Sequence, residues 1–599
     1  MPHLRRFLRQ YVLPLWRWYV PATLAVLLTN WLAVRIPATL AVGLDALRAG
    51  GVGPAGTTVT DAALHIGLYG ASIIVIRSLS RIWFFTPARL AEFTLREDLF
   101  AHLLRLQPSF YAKYPTGDLL SRATSDVTFA RAFAGFALLQ AVNVIAALSM
   151  ALAQMVSTSA PLTIAAAIPI FAGYAVAQGG ASRLFGMQRM VQAQVATFSD
   201  GLLGAITGVA TIQAFCAEDA FVARLNTMAD AMRRTNVQLA ALRAVVFPLL
   251  TVAGGVSIFL LLALGGPMVV AGAVSPGELA AFIALVGYLI VPLRLLGVLL
   301  PVFQRAEASL ERIHVILDSP VERPERGQEQ PFPTPGRGPA IELRHLTWAF
   351  PDAPETPVLR DISVTLPAGA SVGIFGRTGA GKTTLLRLLA RLQNPPPGTV
   401  FVGGIDITRL DLDDLRRHLV MVPQVSFLFG ETVRENVGLG APDARIREAV
   451  AAAALTPDLA ALPDGLETVV GERGIVLSGG QRQRVALARG LARDGEIVLL
   501  DDVLSAVDHH TEQQLIDMLE GRGGSTGRGA APGGETRPTR ILVSHRMSAL
   551  ERCDVVLVID AGRVVDVGTH ATLVEQAGIY RDAWMVQRTR PDVAPEASP

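Results

Sequence analysis

Residues 371–392 read SVGIFGRTGAGKTTLLRLLARL. Gly376, Arg377, Thr378, Gly379, Ala380, Gly381, Lys382 and Thr383 match the pattern G-x-x-x-x-G-K-[ST], and Thr384 follows directly. A β-like apolar run leads into the loop and a helical pattern leaves it. Glycines let backbone N–H groups turn inward on phosphate oxygens, and a helix start adds positive potential. Lys382 then reaches β- and γ-phosphates, and the Thr383 hydroxyl can face Mg²⁺. The competing reading is a chance Gly-rich turn. The flanking elements argue against it, as does the placing of Lys382 here in a chain whose other lysine is Lys113.

A second constellation is EIVLLDD at 496–502. Its apolar run predicts a strand buried on both faces that delivers Asp501 at its C-terminal end. An acid beside a phosphate loop can hold Mg²⁺ through water. Alone the pattern is weak; downstream of the loop at 376–383 it is strong. The next residue, Asp502, is a second carboxylate.

The elements that must position these residues differ between the two halves of the chain. The 599 residues are 51% hydrophobic and 17% charged, well below the quarter or so of charged residues in a soluble protein. Net charge is +2, which gives no support to nucleic-acid steering. The two cysteines, Cys216 and Cys553, exclude a disulfide framework or a zinc site on count. Apolar runs predict six membrane spans at 18–44, 61–86, 132–157, 161–182, 244–271 and 277–301. The N-terminal stretch MPHLRRFLRQYVLPLWRWYV reads as an interfacial amphipathic segment leading into the first span. Arginines crowd 87–131 and 183–243 and are almost absent from 45–60, 157–161 and 267–278. That bias places the long segments in the cytoplasm, as helices that outrun the bilayer. Arg35, His65, Arg77, Arg81 and Arg294 fall in or near spans. Snorkelling at helix ends suits Arg81 and Arg294, whereas for Arg35 and Arg77 snorkelling and a polar substrate path both stand.

Residues 319–339 are rich in Pro and Gly and read as a linker. Beyond them β-branched runs alternate with helical patterns, which predicts an α/β domain. GRGGSTGRGAAPGGETRP at 521–538 is low in complexity and reads as a surface loop. The expected organisation is a membrane domain over 1–318, the linker, a nucleotide-binding domain over 340–585 and a flexible tail over 586–599. The fold class is thus an α-helical membrane domain joined to an α/β P-loop nucleotide-binding domain.

LSGGQRQRVALARGL at 477–491 gives the chain a family. With it the sequence resembles the ATP-binding cassette transporters, specifically an exporter-fold (type IV) half-transporter. The resemblance implies ATP and Mg²⁺ as cofactors and a role for each matching motif. Phe350 in LTWAFPD stands at the adenine-stacking aromatic, where Tyr is usual. Gln424 stands at the Q-loop glutamine, which links Mg²⁺ to the membrane domain. TVVGERG at 468–474 is similar to the exporter X-loop. Asp508 closes a D-loop, SAVD, and His545 stands at the switch histidine. YPTGDLLSRATSDV at 114–127 and GVATIQAFCAED at 208–219 are similar to segments around the two coupling helices. Ser478, Gly479, Gly480 and Gln481 open a helix and form a second anion site of backbone donors. In the family that site faces the γ-phosphate on a partner's P-loop, so two chains make two sandwiches. His509 and His510 have no further ligands nearby in sequence and read as a solvated helix start.

One position departs from the family. Its members carry Glu directly after the Walker B aspartate to polarise the attacking water, and here that residue is Asp502. The carboxylate is withdrawn by roughly 1.5 Å along an extended side chain. A misplacement of about 1 Å can cost on the order of 10²-fold in rate. ATP and Mg²⁺ binding should survive on Lys382, Thr383, Asp501 and Gln424 while hydrolysis slows. The intact LSGGQ can still complete a site on another chain. The expectation is therefore a heterodimeric plasma-membrane exporter of amphipathic or hydrophobic compounds whose different partner supplies the Glu. The retained His545 argues against a silent site. A homodimer with Asp502 as working base, an importer on the same fold, and an ATP-gated channel or regulator are the alternatives.

Overall fold

A computed structural model describes the chain except for residues 52–55, 322–329, 334–337, 472–473, 475, 505–511, 517–536 and 590–599. The chain divides into two compact units, one of Met1–Leu106 with Tyr114–Pro320 and one of Gln107–Lys113 with Val321–Pro599.

The first unit is helical. Its long helices are α1 (Trp16–Arg48), α2 (Val59–Leu103), α3 (Leu138–Thr158), α4 (Ala160–Thr207), α5 (Glu218–Val270) and α6 (Pro276–Leu317). Among the described residues five helical stretches are long and apolar enough to cross a membrane, and a shorter apolar stretch, Ala160–Val176, forms the start of α4. At 1.5 Å per residue the 45-residue α2 is roughly 68 Å long, about twice a hydrocarbon core. The helix is therefore longer than a crossing of the hydrocarbon core requires. Only Ser159 separates α3 from α4. A wider helical turn at Phe133–Ala137 precedes α3 inside the run read as one span.

Packing explains how these helices hold register. The apolar core joins Val34 of α1, Met155 of α3, Leu162 of α4, Leu261 of α5 and Phe282 of α6. A polar knot crosses it: Asn30 Nδ2 donates to Asn143 Oδ1 at 3.1 Å, and Tyr288 OH donates to Asn30 Oδ1 at 2.5 Å. Pairing in this way satisfies amide groups that would be costly to bury alone. Helix α6 starts with a capping box between Ser275 and Glu278, and Asp45 of α1 accepts from Gly277 N–H at 3.0 Å. Gly277 is required there, because a Cβ would lie 2.2 Å from Ala41 O. At the other end buried Asp126 accepts from Ser309 Oγ (3.0 Å) and from Arg312 Nε (2.8 Å). That pair fixes the 114–127 segment to the last turns of α6. In the N-terminal stretch Leu4 and Phe7 are buried within the unit, with Phe7 meeting Phe133, while Leu13 and Trp16 stay exposed.

The second unit carries two sheets. Strands β1 (Ile341–Trp348), β2 (Leu359–Leu366), β4 (Val400–Val402) and β5 (Ile405–Asp406) form one, in the order β2-β1-β4-β5. The other contains β3 (Ser371–Gly376), β6 (Leu419–Val422), β7 (Ile497–Asp501), β8 (Thr539–Val543), β9 (Val555–Asp560) and β10 (Arg563–Gly568), in the order β10-β9-β3-β8-β7-β6. All its pairs are parallel except β9 with β10. Its five parallel strands are buried on both faces, which is why they read as unbroken apolar runs, whereas the antiparallel edge strand β10 leaves Val565 and Val567 exposed. Residues Ile374, Leu499, Ile541 and Leu557 enter one core cluster, and their neighbours Phe375, Leu500, Leu542 and Val556 enter the other. The period-2 pleat of each strand thus feeds both layers. Helices α7 (Lys382–Leu389), α8 (Gly479–Leu491) and α9 (Ile579–Thr589) matter for the site. The last of these ends at Thr589, four residues into the segment expected as a tail over 586–599, and residues 590–599 of that segment lie outside the described residues.

Candidate functional site

The parallel order of the central sheet brings the C-terminal ends of β3, β7 and β8 side by side. Asp501 pairs with Val543, and Val543 pairs with Ile374. The loops that leave these ends therefore share one crevice, where ligands of open parallel sheets bind.

From β3 the chain enters the phosphate loop. Gly379 and Gly381 hold φ of +84° and +97°, a left-handed region that glycine occupies without strain. A Cβ on Gly381 would also lie 2.7 Å from Leu359 Cδ2, and one on Gly376 would lie 2.1 Å from Ile559 O. Arg377, Thr378 and Gly379 are exposed at the loop crest, whereas Ala380 and Thr384 are buried beneath it. Lys382 Nζ folds back onto the loop, donating to Gly376 O at 2.6 Å and Arg377 O at 3.0 Å. Burial holds its ammonium below the usual lysine range, and the charges of Asp502 and Asp501 partly restore it. An anion entering the loop would meet a lysine already desolvated and aimed inward.

Thr383 Oγ1 donates to Asp501 Oδ1 at 3.2 Å. Asp501 is 2% exposed. Burial pushes its carboxyl above the ordinary range; the Asp502 charge adds to the rise, and Thr383, Arg387 and Lys382 oppose it. Hydroxyl, carboxylate and the nearby Gln424 amide make an all-oxygen donor set, which fits a hard divalent ion such as Mg²⁺. A desolvated carboxylate next to a second one is also what such a cation would stabilise.

Asp502 continues from β7 with φ of +51°, the left-handed region, where a residue with a Cβ costs on the order of 1 kcal/mol. Its backbone is held on both sides: its N–H donates to Val543 O at 2.9 Å, and its carbonyl accepts from Gln483 Nε2 at 3.1 Å. Its carboxylate accepts from Gln424 Nε2 at 3.3 Å. The carboxylate is thus anchored to the Q-loop side of the crevice. From β8 the chain reaches His545. A cavity of about 480 Å³ brings His545 together with Gly376, Arg377 and Thr378.

The signature stands elsewhere. Ser478 caps α8, with its Oγ accepting from Gln481 N–H at 3.3 Å and its N–H donating to Gln481 Oε1 at 2.9 Å. A Cβ on Gly479 would meet nothing within 4 Å, so that helix start is open. Gly480 follows in the first turn. Gln481 Nε2 also donates to Asp458, which takes two further bonds from Arg484. No signature residue lines the cavity beside the phosphate loop. Phe350 packs edge-on against Trp348 with centroids 4.7 Å apart and keeps a face exposed. Asp508, His509 and His510 lie outside the described residues, as do Glu472 and Arg473 of the 468–474 segment.

Sequence reasoning missed several supports. Gln483 lies inside the signature run, so its position was visible but its role was not. Glu512 and Gln587, which hold the His545 loop, sit in stretches with no pattern of their own.

Comparison with known proteins identifies this assembly of motifs. Residues 359–505 match the family model for ABC transporter, and residues 20–293 match that for ABC transporter transmembrane region. The chain is 33% identical over 586 residues to a probable multidrug resistance ABC transporter ATP-binding/permease protein, YheI, of Bacillus subtilis (strain 168), covering 96% of each chain. The chain belongs to the ABC transporters. It is 32% identical over 505 residues to an ATP-dependent lipid A-core flippase of Methylococcus capsulatus (strain ATCC 33009 / NCIMB 11132 / Bath), covering 82% of this chain and 80% of that one. Its fold is similar to a bacterial Atm1-family ABC exporter solved with ATP bound, with a TM-score of 0.78, 25% identity, and coverage of 97% of this chain and 99% of that one. The protein is an ATPase coupled to transport, with an exporter-fold membrane region fused to its ATP-binding domain.

Proposed function

We propose that this ABC transporter exports amphipathic or hydrophobic compounds across a bacterial inner membrane, as one half of a heterodimer whose other chain is different. In this reading the organisation is a membrane domain to about residue 318, a linker, and a nucleotide-binding domain that faces the cytoplasm. The relatives named for multidrug resistance and for lipid A-core flipping support the cargo class. Asp502 carries the reading of a different partner. Its carboxylate is one methylene short, and the Gln424 bond and the two backbone bonds keep it from reaching further.

ATP would stack its base on Phe350 and lay its phosphates in the loop 376–383. Lys382 would exchange its carbonyl partners for phosphate oxygens. Thr383, Asp501 and Gln424 would hold Mg²⁺, which when bound neutralises charge developing on the transferred phosphate. Asp508 would contact the other chain across the dimer. His545 would hold the terminal phosphate, and Asp502 would order water poorly. Ser478, Gly479, Gly480 and Gln481 would close over the partner's nucleotide, where most hydrolysis occurs. Closure of the two domains would turn the central cavity outward.

The test is a purified transporter containing both chains. Changing the partner's Glu to Gln should abolish most turnover, whereas Asp502→Asn should remove little. One observation favours a second reading, a homodimer with Asp502 as base: His545 is retained and shares a cavity with Gly376, Arg377 and Thr378 of the phosphate loop. Robust ATPase activity from this chain alone, lost in Asp502→Asn, would establish that reading instead. Transport direction in inverted vesicles separates export from import.

A further inference from the structure

The loop after β8 that carries His545 is gripped from two directions. On one side Gln587 of α9 uses both ends of its amide: Nε2 donates to His545 O at 2.7 Å, and Oε1 accepts from Met547 N–H at 3.1 Å. On the other side the buried Glu512 carboxylate accepts from Arg546 Nη1 and from Ser548 Oγ. The peptide groups on both sides of Arg546 are thus fixed by a single planar side chain. An amide carries a donor and an acceptor on separate atoms, which matches this carbonyl and N–H without tautomeric choice.

Helix α9 is itself anchored to the phosphate-loop strand. Tyr580 is 1% exposed and meets Phe375 edge-on, with ring centroids 5.3 Å apart. Phe375 immediately precedes Gly376. The cavity of about 480 Å³ that His545 shares with Gly376, Arg377 and Thr378 has α9 as its opposite wall, through Asp582 and Gln587. One end of α9 therefore sits on the strand that fixes the phosphates, and the other holds the backbone that carries the histidine.

We propose that Gln587 is a positioning residue for the switch histidine: through it, helix α9 sets the distance between the His545 imidazole and the terminal phosphate in the loop at 376–383. The inference rests on the reading of His545 as the phosphate contact. Gln587 touches no reacting atom and acts through His545, so the two should not be additive.

The experiment is a double-mutant cycle on the complete transporter with Asp502→Glu in this chain and the partner's Glu changed to Gln, so that the turnover read is hydrolysis at this site. The kcat and KM for ATP and the Tm are read for Gln587→Ala, Gln587→Glu, His545→Ala and each double variant. Gln587→Ala should lower kcat on the order of 10-fold, as for an ångström-scale displacement, with KM within about 2-fold. In the His545→Ala background the same change should alter kcat by less than about 2-fold. Gln587→Glu keeps the bond to Met547 N–H and sets a carboxylate against His545 O; it should show the same kcat loss, and it serves for the cycle if the alanine variant does not fold. An equal kcat loss with and without His545 overturns the proposal, as does a well-folded Gln587→Ala with unchanged kcat. If His545→Ala alone leaves kcat unchanged, the phosphate-contact reading has failed and the positioning role falls with it.

Discussion

Two adjacent carboxylates behave differently because their surroundings differ. Asp501 is buried against Thr383 and has its carboxyl pushed above the ordinary range, because burial disfavours the charged form. A carboxyl whose folded pKa lies above its unfolded pKa weakens the fold at any pH above both, and that penalty is relieved as pH falls through the folded value. Asp501→Asn should therefore raise the Tm of the nucleotide-free protein at pH 7 and reduce the stability gained from lowering the pH toward the carboxyl range. The same variant should lose the further Tm rise that Mg²⁺ adds on top of ATP. A lower nucleotide-free Tm would show that the Thr383 bond outweighs the buried charge. Asp502→Glu should raise ATP turnover by about 10- to 100-fold at this chain's site, since it restores reach without changing charge. Unchanged turnover would mean that reach is not what limits the site. Lys382→Ala should abolish nucleotide binding here, read as loss of photolabelling of this chain by an azido-ATP.

At the scale of elements, the site depends on where strands end and how tightly loops pass them. Gly381 starts α7 with φ of +97° and has no room for a Cβ beside Leu359. Gly381→Ala should cost at least about 1–2 kcal/mol of domain stability and displace Lys382 with it. Chemical denaturation and ATP-binding isotherms would show both effects. In the membrane unit Asn30, Asn143 and Tyr288 tie α1, α3 and α6 together. Tyr288→Phe would leave the Asn30 carbonyl short of a donor, an effect worth about 1–3 kcal/mol where water cannot substitute. A lowered Tm in detergent, with ATP affinity unchanged, is the expected signature. Equal destabilisation in Asn30→Leu, and no additional loss in the double variant, would assign the effect to this knot.

For the molecule as a whole, much of the architecture was legible in linear order. Apolar runs of about 20 residues mark membrane crossings because lipid offers backbone groups no other partner. Unbroken apolar strands mark a sheet buried on both faces. The phosphate loop, the acid ending β7 and the LSGGQ cap are each local, so motif and function coincide within a few residues. The Asp502 departure was legible for the same reason. What lay outside the sequence is what distant segments do to one another. Gln587 lies 42 positions after His545 and grips its carbonyl, with no periodicity to announce it. Gln483 holds the Asp502 carbonyl from inside a signature whose known work is elsewhere. Phe7 of the N-terminal stretch meets Phe133, a contact between segments far apart in sequence that no amphipathic pattern contains. Composition and spacing determined which chemistry the chain can perform. Tertiary structure decided how firmly each group is held for it, because hydrogen bonds between remote segments exist only once the sheet order and helix packing have brought them within 3 Å or so.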